Sequence, residues 1–341
     1  MTRTFFIVGP TATGKSEFAA DVAHEIGAEI ISADAFQIYR GLDLLTAKPD
    51  RATLAKASHH LIGTTPLHEE MNAEKYRRAA SRAIDEILSR GKAVIVVGGS
   101  GLYIKALTHG LAVLPQVDPK LRANLNALSI DELRWQLADL DPETARKINI
   151  NNRRRLLRAV EICLTTGKPV SAQRGQWAVA ASLCEARRTG VVAGPRDASQ
   201  SEAATTTHGA FVFRDREELY TRINDRVEAM FENGVIEEVR AAGSVGSTAS
   251  QMIGLREIQQ LLEGKMSILQ CVAAIQQATR RYAKRQLTWF RRQTNFESLN
   301  LSPLSHSEAG KSKASRSGNC TIPSTSCASW RTPREPKSST L

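Results

Sequence analysis

The sequence has few cysteines, and no two of them are close enough along the chain to form a motif. The 341 residues include five, namely Cys163, Cys184, Cys271, Cys320 and Cys327, and none belongs to a C-x-x-C pair. This scarcity disfavours a cysteine metal site. It indicates free thiols in a reducing compartment.

Long apolar runs and histidine motifs are also missing. No apolar stretch approaches the length of about 18 residues that a membrane-spanning helix needs. The chain opens on a core strand and not on a signal peptide, because a phosphate-binding pattern already begins at Gly9. His59, His60 and His68 form neither H-x-x-x-H nor H-E-x-x-H, which argues against a histidine metal site. We therefore expect a cytoplasmic protein with no membrane contact.

What the sequence does contain is a phosphate-binding loop near its start. Residues 5–8 are apolar and predict a short buried strand, and residues 9–16 then match G-x-x-x-x-G-K-[ST]. Glycines let successive backbone N–H groups point at one anion, Lys15 adds a positive charge, and the Ser16 hydroxyl suits Mg²⁺. A helical pattern over 16–26 brings a helix N-terminus to the same loop. The residues expected to bind a diphosphate or nucleotide are Gly9, Pro10, Thr11, Ala12, Thr13, Gly14, Lys15 and Ser16.

Two further strand patterns end in polar or glycine-rich turns. One covers 29–34 and ends in Asp34; the other covers 93–97 and is followed by Gly98, Gly99 and Ser100. Continuous β-branched runs are typical of a parallel sheet covered on both faces, and ligands gather at the carboxyl ends of its strands. Asp34 and Ser100 are therefore predicted to lie beside the phosphate loop. For Asp34 the roles of turn carboxylate, general base and outer-sphere Mg²⁺ ligand all remain open.

The charge of the chain favours a polyanionic partner. Its net charge is +11 and its pI is about 9.6. Residues 280–292 carry six basic and no acidic side chains, interleaved with aromatic ones. Such a stretch suits RNA, because cations neutralise phosphates and aromatic rings stack on bases. Only one side of a helix can face a partner, so we expect contacts from Arg281, Lys284 and Arg285. The alternative is a basic amphipathic helix whose aromatic side chains pack inward.

Changes in composition along the chain predict five regions. They are a first part of an α/β core (1–116), a helical insertion (117–175), a variable loop region (176–210), a second part of the core with the basic C-terminal helix (211–297), and a disordered tail (298–341). Helical patterns cover 119–128, 131–139, 142–148 and 153–166 of the insertion, and 215–240 and 268–290 of the second core part. The tail is rich in serine and poor in large apolar residues.

In this order, the motifs resemble those of the tRNA dimethylallyltransferases, also called tRNA isopentenyltransferases. The resemblance covers residues 3–295 approximately. Besides the phosphate loop, the matching stretches are Ser32-Ala33-Asp34, Gln37-Ile38-Tyr39, Thr46-Ala47-Lys48-Pro49, His60-Leu61-Ile62, Gly98 to Tyr103, Leu219 to Ile223, and Thr279 to Arg291. The chain departs from the family at Ala35, where serine is usual, at Ser100, where threonine is usual, at Gly63, where aspartate is frequent, and over 152–155, where D-P-Q-R is usual.

The resemblance implies a P-loop NTPase-like α/β core with a helical insertion that grips the anticodon arm of tRNA. It implies that the phosphate loop holds dimethylallyl diphosphate, assisted by Mg²⁺, and that the dimethylallyl group passes to the exocyclic amine of the adenosine just 3′ of the anticodon. Asp34 would take or orient the amine proton, while Ser100 and Arg222 would hold the leaving diphosphate. The tRNA contacts that it implies come from Asp34, Ala35, Phe36, Gln37, Ser100, Arg122, Asn152, Arg153, Arg154, Arg155 and Leu156. The enzyme is expected to be a monomer.

Two other functions share part of this pattern. A P-loop kinase of a small metabolite or nucleoside would use the same loop and could use Asp34 on a hydroxyl group, but it does not need the basic stretch at 280–292. A nucleic-acid-binding ATPase would need a strand that ends in aspartate, whereas the strand at 93–97 ends in Gly98 and Gly99. Prenyl transfer to tRNA is therefore the predicted function.

Overall fold

A computed structural model of the chain describes residues 4–111, 117–173 and 208–302. The chain divides into two units, one made of Met1–Ile104 with Thr206–Leu341 and the other of Lys105–Thr205. Most of the predicted variable loop region (176–210) and the predicted tail from residue 303 onward lie outside the described residues. Within the described ranges, no helix has the length and apolar character needed to cross a membrane.

The first unit is built on a six-stranded parallel sheet. Its strands are β1 (Thr4–Val8), β2 (Glu29–Ser32), β3 (His59–His60), β4 (Val94–Gly98), β5 (Gly209–Phe213) and β6 (Glu297–Asn300). Their order across the sheet is β3-β2-β4-β1-β5-β6. At the carboxyl end of β1, Val8 is paired with Gly98 on one side and with Phe211 on the other. The predicted α/β class with a parallel sheet is confirmed.

The helices of the described residues are numbered here in chain order. They are α1 (Lys15–Ile26), α2 (Arg51–Lys56), α3 (Ala73–Ser89), α4 (Gly101–His109), α5 (Pro119–Ala127), α6 (Ile130–Leu140), α7 (Pro142–Lys147), α8 (Arg153–Thr166), α9 (Val170–Gln173), α10 (Arg216–Glu232), α11 (Val235–Ala241), α12 (Leu255–Leu262) and α13 (Ile268–Phe290). A 3₁₀ helix covers Ala249–Gln251. The helix α4 spans the division between the units, so the second unit begins earlier than the residue 117 predicted for the insertion.

The helix α1 lies close to the sheet because its buried face is made of small residues. Ala19, Ala20 and Ala23 are fully buried and pack in one cluster with Ile7 and Ile95. Short side chains on the helix allow the large aliphatic side chains of β1 and β4 to fill the space between the layers. This packing fixes the N-terminus of α1, where the phosphate loop ends.

The second unit is a helical bundle around a leucine-rich core. Leu133 and Leu137 of α6 pack against Leu156 and Val160 of α8, and all four side chains are buried. The helix α8 is capped by Asn152, whose side chain accepts from the Arg155 N–H group at 3.2 Å. The helices predicted from periodicity in this part of the chain are present as α5 to α8.

The prediction of one helix over 215–240 is wrong. The structure has two helices there, because α10 ends at Glu232 and α11 begins at Val235. Between them Gly234 adopts a left-handed conformation with φ 91°. Such a conformation ends a helix, and glycine reaches it without the steric cost that a side chain adds. The apolar spacing continues across the break, which is why periodicity alone did not reveal it.

The predicted start of the tail at residue 298 is also wrong. Residues 297–300 form β6, which pairs with β5 from Ala210↔Glu297 to Phe213↔Asn300. All four β6 side chains are exposed. The strand is therefore held by main-chain hydrogen bonds to the edge of β5, and its side chains show no alternation from which a strand could be predicted.

Candidate active site

The phosphate loop joins β1 to α1 and has a backbone that can surround an anion. Ala12 and Gly14 adopt left-handed conformations, with φ 65° and φ 86°. Within the described part of the chain, the backbone N–H groups of residues 12–16 have no hydrogen-bond acceptor. Adjacent N–H groups without acceptors at the start of a helix form an anion-binding site.

Two carbonyl groups in the middle of this loop accept hydrogen bonds from arginines. Arg222 Nε donates to the Ala12 carbonyl at 3.0 Å, and Arg214 Nε donates to the Thr13 carbonyl at 2.8 Å. Both arginines come from the β5–α10 region, far from the loop in sequence. Because these bonds engage the Ala12 and Thr13 carbonyl oxygens, this part of the loop presents its N–H groups to a ligand.

Three cations contact the loop without an acidic partner. Lys15, Arg222 and Arg226 form no salt bridge among the described residues, although each donates a hydrogen bond to a loop atom. Burial lowers the pKa of Lys15 to about 8; the charge of Asp34 opposes this shift and the charge of Arg226 adds to it. Burial, and then the charge of Arg222, lowers the pKa of Arg226 as well. An excess of positive charge that is partly shielded from water attracts an anion.

The glycine-rich turn after β4 lies directly against the phosphate loop. The Gly9 N–H group donates to the Gly98 carbonyl at 3.2 Å, and the Ser100 N–H group donates to the Ala33 carbonyl at 3.2 Å. A Cβ atom on Gly98 would lie 2.2 Å from the Ala33 carbonyl oxygen, so this approach requires glycine. The prediction that the carboxyl ends of these strands meet at the phosphate loop is confirmed.

A cavity at this edge of the sheet brings several predicted residues together. Its lining includes Lys15 and Ser16 from the loop, Asp34 and Gln37 from the turn after β2, and His59 from β3. Val97 and Ile62 add apolar surface to the same cavity. Cation, hydroxyl and carboxylate therefore share one space.

The Asp34 carboxylate stabilises a turn. Its Oδ1 accepts from the N–H groups of Phe36 at 2.9 Å and Gln37 at 3.2 Å. Its Oδ2 makes no hydrogen bond within the described chain, so the turn role leaves one oxygen for chemistry. The Ser100 hydroxyl is buried and accepts from the Ala35 N–H group at 2.9 Å. Asp34 and Ser100 are thus linked through adjacent residues of one turn.

The side chain of Gln37 is partly used within the protein. Its Nε2 donates to the Ala47 carbonyl at 2.8 Å. Residues 34–37 are half-buried. A base that entered the cavity would meet Asp34 and Gln37 at its wall.

The helix α13 has a basic outer face, which we define as Arg281, Lys284 and Arg285. All three side chains are exposed and form no salt bridge within the described chain. Arg280 differs, because its guanidinium donates to Asn224 Oδ1 at 2.5 and 3.2 Å. Both Arg280 and Arg285 also lie over a tyrosine ring, that of Tyr220 and that of Tyr282. The choice of side made from the sequence agrees with this exposure, and the contact with RNA stays a prediction.

The aromatic residues of α13 pack inward. Phe290 is 1% exposed and stacks on Phe211 at a centroid distance of 5.8 Å. Trp289 lies over Gly101, where a Cβ atom would come within 2.7 Å of the indole ring. The inward-packing alternative therefore holds for the aromatic side chains, while the basic side chains face outward on the same helix.

In the second unit, the prediction that Leu156 contacts tRNA is wrong for its side chain. Leu156 is 1% exposed and belongs to the leucine-rich core. It falls on the buried face of α8, one turn after the Asn152 cap. The stretch 152–156 was matched to tRNA-contacting positions of the family as a whole, and such a stretch of helix includes buried residues as well as exposed ones.

The arginines that open α8 divide into two kinds. Arg153 donates to the carbonyl groups of Leu128 at 2.6 Å and Asn126 at 2.7 Å, and thereby fixes the end of α5. Arg154 and Arg155 are exposed and form no salt bridge within the described residues. Only the latter two present uncommitted charge to solvent.

Arg122 is part of an ion-pair group on a buried acid. Its Nε donates to Glu161 Oε1 at 2.6 Å, and Arg158 Nη1 donates to Oε2 at 3.0 Å. Glu161 is fully buried, whereas Arg122 and Arg158 are about half exposed. Arg122 can still reach a partner, but it does so with part of its charge compensated.

Sequence reasoning missed three residues that contact the phosphate loop. Arg226 Nη1 donates to the Thr11 hydroxyl at 3.1 Å, and its spacing of four from Arg222 could have revealed it. Arg214 and Gln286 carried no such pattern. Gln286 accepts from the Thr11 N–H group at 2.9 Å across a separation of 275 residues, which no local motif records.

Comparison with known proteins shows similarity over most of the chain. A family model described as IPP transferase matches residues 37–293. The chain is 43% identical over 286 residues to tRNA dimethylallyltransferase 1 of Citrifermentans bemidjiense, covering 83% of this chain and 87% of that relative. It is 38% identical over 300 residues to a tRNA dimethylallyltransferase of Akkermansia muciniphila, covering 88% and 94%.

A solved structure has the same fold. The full-length tRNA isopentenylpyrophosphate transferase of Bacillus halodurans superposes with a TM-score of 0.60 and is 29% identical in sequence. The match covers 91% of this chain and 93% of that one. The similarity therefore extends over nearly all of both chains.

Proposed function

The chain belongs to the IPP transferase family, and we propose from this premise that its phosphate loop binds dimethylallyl diphosphate and not a nucleotide to be hydrolysed. The protein is a prenyltransferase: it transfers the dimethylallyl group to the exocyclic amine of the adenosine just 3′ of the anticodon in tRNA, and releases diphosphate. The observation that carries this function is the set of three cations without a salt bridge in the described chain around loop N–H groups that have no acceptor, with one of these cations, Lys15, in the same cavity as Asp34. The alternative of a small-molecule kinase is not favoured by the comparisons.

The donor half of the reaction needs groups that stabilise a leaving diphosphate. As the allylic C–O bond breaks, negative charge grows on the diphosphate oxygens. The loop N–H groups of residues 12–16, together with Lys15, Arg222 and Arg226, are donors fixed before the reaction begins. Donors that need no rearrangement lower the barrier most effectively. Ser100 would add a hydroxyl at the same edge of the sheet.

The cavity chemistry fits Mg²⁺ as an assisting ion. Mg²⁺ prefers oxygen ligands and usually keeps several waters while it binds substrate phosphates. Ser16 and Asp34 supply oxygens to the cavity, and the described ranges contain no group of three or more His, Cys, Asp or Glu side chains that could hold a metal ion by itself. Ser16 would therefore hold the ion together with the diphosphate. When bound, Mg²⁺ neutralises charge on the leaving group.

The acceptor half of the reaction needs a place for one proton. The amine nitrogen forms a bond to the allylic carbon, and it must lose a proton to return to neutrality. The Oδ2 atom of Asp34, which has no hydrogen bond within the described chain, would accept that proton. The adenosine must leave its stack to reach the cavity, and residues 34–37 would contact it there.

Binding of tRNA would use exposed basic side chains of both units. In the first unit these are the outer face of α13. In the second unit they are Arg154 and Arg155, with Arg122 contributing the exposed part of its guanidinium. Such contacts neutralise backbone phosphates and carry little sequence information, so identity of the modified base would depend on the cavity.

Labelled dimethylallyl diphosphate tests the proposal when it is incubated with the protein and tRNA, beside a parallel reaction with labelled ATP. We expect label to enter tRNA from the allylic donor but not from ATP. In the Lys15→Ala variant, incorporation of label from the allylic donor should be lost. The change removes the point charge at the centre of the loop. Stoichiometric ATP hydrolysis coupled to turnover would overturn the proposal.

We also propose a cytoplasmic location and a monomeric state. The described cysteines, Cys163 and Cys271, are free and buried, as expected in a reducing compartment. Location is tested by fractionating cells, and oligomeric state by measuring the mass of the protein in solution.

A further inference from the structure

The inner side of α13 contributes a buried amide that contacts both glycine-rich loops. Gln286 is 6% exposed. Its Oε1 accepts from the Thr11 N–H group of the phosphate loop at 2.9 Å, and its Nε2 donates to the Gly99 carbonyl at 2.9 Å. A carboxamide has one acceptor end and one donor end, so a single side chain satisfies one backbone group of each loop.

The space around this amide is fully used. A Cβ atom on Gly99 would lie 2.3 Å from Gln286 Nε2 and 2.9 Å from the Gly9 carbonyl oxygen. Three residues further along α13, Trp289 covers Gly101 of the same turn. The helix α13 therefore packs closely against the turn after β4, and its residue Gln286 forms hydrogen bonds to both loops.

The two bonds decide which groups the loops present to a ligand. The Gly9 N–H group is bonded to the Gly98 carbonyl, and Thr11 is the last loop residue whose N–H group has an acceptor, so the row of N–H groups without acceptors begins at Ala12. Gly99 directly precedes Ser100, whose hydroxyl bonds the turn that carries Asp34. A shift of either loop would change the spacing between the anion site and the Ser100–Asp34 side of the cavity.

We propose that Gln286 is a positioning residue of the donor site, which locks the phosphate loop to the turn after β4 so that both hold one diphosphate. The proposal rests on the diphosphate-binding function proposed above. Gln286 itself does not touch the reacting atoms. It acts through Thr11 on one side and Gly99 on the other.

The test compares Gln286→Met with Gln276→Met. Methionine keeps the length of the side chain and removes both hydrogen bonds. Gln276 lies on the same helix, and within the described chain its side chain bonds only the exposed Glu228, at 3.1 Å, so its variant controls for the chemistry of the substitution. The probes are inorganic diphosphate, measured by titration calorimetry, and prenyl transfer at varied donor concentration.

We expect Gln286→Met to weaken diphosphate binding about tenfold and to raise the KM for the donor by a similar factor, the size that two lost hydrogen bonds can produce. Affinity for tRNA should stay at the wild-type value, and Gln276→Met should behave as wild type. Unchanged diphosphate affinity in folded Gln286→Met would overturn the proposal. Failure of the wild-type protein to bind diphosphate would instead overturn the proposed function of the loop.

A measurement on the wild-type protein tests the same idea if Gln286→Met does not fold. Amide hydrogen exchange should be slow at Thr11 without any ligand, because its N–H group is bonded to a buried side chain. The N–H groups of residues 12–16 should exchange quickly and become protected only when diphosphate is added. Exchange at Thr11 as fast as at Ala12 would overturn the assigned role.

Discussion

Each unit contains a carboxylate among cations, and the two carboxylates are used differently. In the second unit, Glu161 is buried and bonds Arg122 and Arg158 at 2.6 and 3.0 Å. Although burial alone would raise it, those bonds hold the pKa of Glu161 below its ordinary value. In the first unit, Asp34 shares a cavity with Lys15 and yet forms no salt bridge within the described chain.

The difference separates charges that stabilise the fold from charges kept for a substrate. Both oxygens of Glu161 accept hydrogen bonds from arginines, so its charge stabilises the protein and is not available to a substrate. Asp34 Oδ2 has no hydrogen bond, and Lys15, Arg222 and Arg226 donate hydrogen bonds but form no salt bridge within the described chain. Side chains held without compensation near a cavity are typical of functional sites. The following substitutions test whether the two carboxylates differ in this way.

The largest effect is expected for Asp34→Asn. Asparagine keeps an oxygen for the turn bonds to Phe36 and Gln37 but cannot accept a proton at neutral pH. Transfer should fall by about 10²–10⁴-fold, the range typical of general base catalysis, while the melting temperature stays unchanged. Single-turnover transfer and thermal unfolding measure the two quantities. A near-normal rate removes Asp34 from the chemistry.

Acid should remove the stabilisation that another salt-bridged carboxylate, Glu29, gives to the fold. Its side chain is 6% exposed and bonds His60, Arg90 and Lys92 at 2.7 to 2.8 Å. Although burial alone would raise it, these bonds lower the pKa of Glu29 from 4.5 to about 2. Because the folded pKa is depressed, the stabilisation is present above pH 4.5 and is lost as the pH falls toward about 2.

We expect this loss to reach about 2 kcal/mol, since the partners are partly exposed and solvent screens the pairs. Urea unfolding across the acid range measures it. Glu29→Gln should make the acid dependence less steep, while Glu74, Asp141 and Glu161, whose pKa values are also lowered, account for the part that remains. An equally steep acid dependence in the variant would show that other groups are responsible.

Glu161→Gln should lower stability more than activity. A neutral amide cannot compensate both arginines, and we expect the free energy of unfolding to fall by about 1–2 kcal/mol. Single-turnover transfer with saturating tRNA should stay close to wild type. Glu143→Gln is the matched control, because its salt bridge to Lys147 is exposed on both sides and should contribute less than about 1 kcal/mol. A rate loss as large as that of Asp34→Asn would abolish the contrast.

The smallest effect concerns the outer face of α13. Replacing Arg281, Lys284 and Arg285 by glutamine should weaken tRNA binding and flatten the log–log salt dependence by roughly one to two units. Affinity for the diphosphate donor should not change. Arg280→Gln is the control, because Arg280 is engaged with Asn224 and Tyr220. If the triple variant keeps its salt dependence, Arg154 and Arg155 become the next candidates.

The site could be predicted where its residues follow local rules. The phosphate loop is a contiguous motif, and the placement of Asp34 and Ser100 follows from the rule that parallel strands end at one edge. The pattern around Leu156 failed because a run of polar residues that opens a helix also includes a position on the buried face. Gly234 was overlooked because apolar spacing persists across the break.

The rest of the site depends on contacts between distant parts of the chain. Arg214, Arg226 and Gln286 reach the phosphate loop over separations of 201, 215 and 275 residues. Apart from the spacing of four between Arg222 and Arg226, no periodicity or spacing in the sequence indicates these contacts before the fold is known. For the same reason β6 could not be predicted, since its main chain and not its side chains carries the pairing.

The length and continuity of α13 determine which sequence changes this helix can tolerate. It is an uninterrupted helix of 23 residues, and Arg285 on its outer face is the neighbour in sequence of Gln286, which faces the loops. Each residue advances the helix by about 100°, so one inserted or deleted residue between Arg281 and Gln286 would rotate Arg281 by that angle relative to Gln286. Substitutions that keep a positive charge outside should be tolerated, whereas insertions and deletions should not. The number of residues between Arg281 and Gln286 is therefore more tightly constrained than the identity of the exposed residues.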